Sequence, residues 1–149
     1  MTSVAAYIRR ETAISALINA VISAGFAIAV FRGESAAVWG GGGFVADFVP
    51  QGFMVALMAF LVPSVLARRA VSSGRVAGGL VGSGRGRLVL PALLAAVIGA
   101  IILTAVMAAL FAALGIETIP SAAVLSIKVA CGAVLGAIVT KIALSRLLR

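Results

Sequence analysis

Few residues in this 149-residue chain could do chemistry, and one of them stands where a charge is costly. Lys128 follows Pro120 by eight residues, inside an apolar run from Ser121 to Thr140. On a helix that places it about 12 Å past the proline. Near mid-membrane a charge costs about 2.5–3.5 kcal/mol on insertion scales, so such a lysine is paired, is functional, or snorkels back to the headgroups along its own stem. The candidate anions are Asp47 and Glu117, each just before an apolar block, and Gln51 lies one turn after Asp47. A paired Lys128 keeps its charge, whereas a desolvated, unpaired one would serve as a proton acceptor; the residues leave pairing, titration and snorkelling open. Lys141, at the far end of the same run, reads as an interfacial anchor.

A second set of polar residues lies in the first apolar block. Ser15, Asn19 and Ser23 recur every four residues and so share one helix face, with Ala16, Ala20 and Ala24 beside them. In lipid an asparagine seeks a partner across a helix interface, and small residues let backbones approach, so this face points inward. Asn19, Gln51, Asp47 and Lys128 are therefore the candidate substrate- or ion-binding residues. No apolar block carries an acid near its centre, which removes the usual carboxylate of a proton-coupled exporter. There is no histidine, one cysteine (Cys131), and no nucleophile–base set, so neither a catalytic residue, a metal site nor a cofactor is expected, and the chain does not read as an enzyme.

The elements that position these residues follow from composition. With 63% hydrophobic and 11% charged residues, the chain is too apolar for a water-soluble domain of its size. Four apolar blocks, at 12–31, 48–66, 88–114 and 121–140, are each long enough to cross a hydrocarbon core of about 30 Å. The net charge of +8 sits mostly at block ends, at Arg9, Arg10, Arg68, Arg69, Arg75, Arg85, Arg87 and Arg146, which is the positive-inside pattern rather than a nucleic-acid face. The segment 67–87 carries five arginines and no acid, so it reads as a mobile, cytoplasmic basic loop near anionic lipid; its Arg85-Gly86-Arg87 end is a weak RNA signal. Both termini are then cytoplasmic. Ala27-Ile28-Ala29 imitates a signal-peptidase site, but the apolar run before it is longer than a signal h-region and reads as an uncleaved first span. Residues 1–11 read as an interfacial segment or a loose tail.

The external segment 32–47 carries Trp39, suited to the headgroups, and Gly40 to Gly43, which could let the chain dip back into the protein under other helices but read first as a plain flexible loop. In the second block Pro50 fits the first helical turn, and Met54, Met58, Phe53 and Phe60 read as packing material. Helix packing is expected along Gly132 and Gly136, a GxxxG, and along the third block's row Ala92, Ala96, Ala100, Thr104, Ala108 and Ala112. That row predicts the third helix to be the most enclosed. Asp47-Phe48-Val49-Pro50 and Glu117-Thr118-Ile119-Pro120 each open a block, a faint sign of two parallel hairpins related by an axis along the membrane normal.

The expected fold is an all-α integral membrane protein, a single domain over 1–149 built as a four-transmembrane-helix bundle. The expected setting is the bacterial inner (cytoplasmic) membrane, with anionic lipids at the cytoplasmic face. Two functional classes fit: a transport or channel-like protein, with a polar site in the bundle, or a non-catalytic accessory subunit of a larger membrane complex. A homo-oligomer fits either, and no nucleic-acid partner is expected.

Overall fold

The computed structural model describes residues 2–81 and 88–148, so the Arg85-Gly86-Arg87 end of the basic loop lies outside the described residues. Four helices account for most of the chain: α1 (Val4–Phe31), α2 (Phe48–Ser72), α3 (Val89–Leu114) and α4 (Ser121–Leu147). Each is long and apolar enough to cross a membrane. Helices suit such sequences because lipid offers the backbone no hydrogen bonds, and a helix satisfies its own. Together they form a compact four-helix bundle.

The helices outrun the apolar blocks. α1 starts at Val4 rather than Thr12, with Ser3 accepting a hydrogen bond from the Ala6 N–H at 3.3 Å, so residues 4–11 are neither a tail nor a separate interfacial segment. α2 continues through Arg68 and Arg69 to Ser72, and α4 past Lys141 to Leu147. A helix of 28 residues is about 42 Å long, so basic residues ride on helical ends beyond the hydrocarbon.

Along the middle of α1 the inward face is small or polar. α1 buries Ser15, Asn19, Ser23 and Ala27, while Leu17, Val21 and Ile28 lie exposed on its outer side. This inversion of a water-soluble core is expected where lipid tails are as apolar as leucine, and packing rewards close backbone approach.

Packing order departs from chain order. α1 packs on α4, α4 on α2 and α2 on α3, whereas α1 with α2 and α3 with α4 meet only slightly. The order α1-α4-α2-α3 reads the same after exchanging the first hairpin with the second. The two acid-to-proline openings nevertheless play different parts, since Asp47 directly precedes α2 and Glu117 stands four residues ahead of α4.

The most enclosed helix is α2, not α3: the apolar window of α2 is 44% buried against 22% for α3. Ala92, Ala96 and Ala100 of the expected row are buried, with Gly99 against Ala56, but Thr104 is half-buried and Ala112 exposed. A row of i+4 positions drifts about 40° per step, so it rotates off α2, and the contact passes to Met107 and Phe111. The Met and Phe set of α2 is likewise divided, with Phe60 buried and Met54 and Met58 facing outward.

Two short strand pairings tie the ends. At the basic end β1 (Thr2–Ser3) runs parallel to β3 (Val76–Ala77), and Leu80 bridges Leu148. Both chain ends and the start of the basic loop therefore meet at one end of the bundle. At the other end β2 (Ala36–Ala37) pairs antiparallel with β4 (Thr118–Ile119).

The segment 32–47 is a packed cap, not a flexible loop. The Val38 N–H donates to the Glu117 carbonyl (2.9 Å), and the Phe44 N–H to the Ala37 carbonyl (2.8 Å). Gly40 turns with φ +99°, and a Cβ at Gly43 would fall 2.6 Å from the Trp39 carbonyl oxygen, so the chain doubles back only with glycine there. Val38 and Phe44 are fully buried by this turn, and Trp39 stays 45% exposed at the rim.

Candidate functional site

Lys128 sits in the second turn of α4, under the cap, with no exposed side-chain surface. Its Nζ donates to Asp47 Oδ2 at 2.7 Å. The geometry thus pairs the lysine with Asp47 rather than Glu117, which lies exposed, and the amine does not reach the surface as a snorkelling lysine would. Asp47 occupies the N-cap position of α2 yet makes no side-chain cap bond, because its carboxylate is turned to the ammonium. It keeps 20% side-chain exposure and is the pair's contact with the outside.

Aromatic rings complete the enclosure. The Lys128 ammonium stands 3.7 Å from the Phe48 ring centroid, 4.8 Å from Phe44 and 5.8 Å from Phe31. Phe44 is the hub, packed edge-on against Phe48 at 5.1 Å and Phe111 at 5.7 Å. Ring faces attract a cation, so they offset part of what the ammonium loses on leaving water. These four phenylalanines come from α1, the cap, α2 and α3, and residue type alone did not single them out. The available signal was position: Phe31 and Phe48 bracket the external segment, and Phe44 follows its glycine run.

Below the pair runs a row of buried polar side chains. Gln51 Nε2 donates to Ser23 Oγ (3.0 Å) and to the Lys128 carbonyl (3.2 Å), joining α2 to α1 and α4. Gln51 Oε1 is buried without a hydrogen-bond partner among the described residues. Toward the basic end, Asn19 Nδ2 donates to the Ser15 carbonyl (2.8 Å) and Oγ (3.1 Å). Thr140 Oγ1 lies 2.7 Å from Ser15 Oγ and 2.9 Å from the Ala59 carbonyl, which ties α4 to both α1 and α2.

Gly132 and Gly136 make this row possible. A Cβ at Gly132 would overlap Ser23, and one at Gly136 would fall 2.5 Å from Asn19 Nδ2. The two glycines leave room for the polar face of α1 to lie against α4. Of the sequence candidates, Asp47 and Lys128 are thus in direct contact, Gln51 touches the Lys128 backbone, and Asn19 lies deeper in the same row. Ala96 and Ala100 pack on α2 away from the pair.

Such an arrangement can hold a compensated charge in an apolar surround, offer Asp47 to the outer side, and present hydroxyls, amides and one unfilled acceptor inward. Among the described residues no three His, Cys, Asp or Glu side chains converge. No protein-family model, curated protein or solved structure matches the chain.

Proposed function

We propose that this chain is a non-enzymatic, multi-pass protein of the bacterial inner membrane that acts in transport, as a channel-like or carrier bundle. Its polar site is Asp47 and Lys128 at the outer end, continued inward by Gln51 and Asn19. The observation that carries this reading is the row itself: Asp47, Lys128, Gln51, Ser23, Asn19, Ser15 and Thr140 are lined up inside a bundle whose other inward residues are small or apolar. Intramembrane polar residues are costly and characteristically mark substrate or ion paths. The unpartnered Gln51 Oε1 adds an open acceptor beside the pair, suited to a water or a passing polar group.

The test is flux through proteoliposomes under imposed K+, Cl− or proton gradients. The expected result is flux above that of empty vesicles, abolished by Lys128→Met and by Asp47→Asn, with Lys128→Arg keeping charge but altering rate. Flux equal to empty vesicles under every gradient would remove the transport reading.

A second reading, assembly with another copy or with a larger membrane complex, is favoured by the outer half of α3. There Thr104 has a buried hydroxyl with no partner among the described residues, and Ala112, further along its row, is exposed. Small residues around a hydroxyl are what a packing helix uses in lipid. Mass measurement in nanodiscs checks it: a monomer without a stoichiometric partner counts against assembly.

A further inference from the structure

The weak contact between α1 and α2 leaves a cleft open to the membrane. Its walls are Ile14, Ile18 and Ile22 of α1 and Met58, Val62 and Leu66 of α2, and Ser15, Asn19 and Ala59 form its floor; the groove encloses about 250 Å³. At the basic end it runs into a wider pocket of about 650 Å³ that shares Glu11 and Leu66 with it. Arg10, Arg69 and Arg75 line that pocket, beside Tyr7. Three guanidinium groups stand against one carboxylate, and none of the three forms an ion pair among the described residues; Arg75 donates from Nε to Ser73 Oγ at 3.0 Å.

We infer that the cleft is a binding site for one anionic glycerophospholipid, its phosphodiester held by Arg10, Arg69 and Arg75 and one acyl chain lying in the groove between α1 and α2. Two independent features agree on this occupant. Guanidinium forks match phosphate oxygens, and the excess positive charge selects against a zwitterionic headgroup. The groove also has the right length: from Glu11 to Ile22 is about 16 Å of helix, close to one leaflet of a core about 30 Å thick. A free phosphate would leave the groove empty, and an apolar ligand would leave the arginines unused.

The location gives the lipid a task. Ser15 and Asn19 belong to the internal polar row and form the floor of the groove, so an acyl chain over them closes the row laterally against the bilayer. The site needs only that the bundle sits in a membrane. It stands or falls separately from transport.

Native mass spectrometry of the delipidated protein, titrated with dioleoyl-phosphatidylglycerol or dioleoyl-phosphatidylcholine, tests it. The expected result is one tightly held phosphatidylglycerol per chain, at least about tenfold preferred over phosphatidylcholine. Arg69→Gln with Arg75→Gln should weaken it by about tenfold or more. Lys141→Gln with Arg146→Gln, which removes as much charge outside the pocket, should not. Ile18→Trp with Val62→Trp should weaken binding by filling the groove while every arginine remains. All of these positions, Lys141 and Arg146 included, are exposed, and a thermal melt of each variant beside the parent confirms that it folds. Equal retention of the two lipids, equal loss from the Lys141 and Arg146 control, or displacement of the lipid by millimolar inorganic phosphate with the groove-filled variant binding normally would overturn the inference.

Discussion

Lys128 and Asp47 form one ion pair with two unlike members. The lysine side chain is wholly enclosed, and the aspartate is one-fifth exposed. Breaking a buried pair by removing one partner costs about 3–5 kcal/mol when the remaining charge cannot be solvated. Asp47→Ala meets that condition, because it leaves the ammonium with ring faces worth about 0.5–2 kcal/mol. Lys128→Met leaves an aspartate that water can reach, so it should cost clearly less. Thermal unfolding in one lipid should therefore rank parent, Lys128→Met and Asp47→Ala in falling order. A double-mutant cycle should show coupling between residues 47 and 128, with Glu117→Gln additive to either. Equal losses from the two single variants would mean that the pair is equally solvated at both ends.

At the scale of elements, the cap and the α1–α4 seam place these residues. The cap rests on a glycine turn, but only part of the glycine run is essential to it. A methyl group at Gly43 would strike the Trp39 carbonyl, whereas Gly41 has open space around its Cβ position. Gly43→Ala should lower the melting temperature and expose the 32–47 segment to added protease by displacing Phe44 from the rings; Gly41→Ala should do neither. The seam makes a parallel demand. Gly136→Leu would press into Asn19, separate α1 from α4, and cost more than the same change at Gly25, where nothing lies within 4 Å. Melting of the two variants side by side decides it.

For the whole molecule, the strand pairings put both chain ends and the start of the basic loop together. The side of the membrane follows from charge. Arg9, Arg10, Arg68, Arg69, Arg75, Lys141 and Arg146 cluster at that end, against Arg32, Glu34, Asp47 and Glu117 at the other, so the basic end should face the cytoplasm. A phosphatase that works only outside the cytoplasm should be inactive when fused after Arg149 and active when inserted after Gly41. The reverse result would invert the orientation.

The number of helices, their approximate extents and the inward polar face of α1 were legible in the sequence. Hydropathy and i+4 spacing are local properties, and a lipid solvent leaves the backbone little choice but helix. Lys128 stood out for the same reason, as a charge in an apolar run. Its partner did not, because Asp47 and Glu117 are equivalent in the sequence and only the packing of α2 on α4 brings one of them to the ammonium. Between a covered run and a flexible loop the sequence favours the loop, because four glycines in a row describe freedom, and pairing with Thr118–Ile119 across about 80 residues is what removes it. The enclosure of α3 differs from the expectation because its small-residue row marks a packing face at Ala92, Ala96 and Ala100 but does not say how far along the helix a neighbour covers it. Which residues meet was decided by register between helices distant in sequence, where close approach at Gly52, Gly99, Gly132 and Gly136 selects one arrangement.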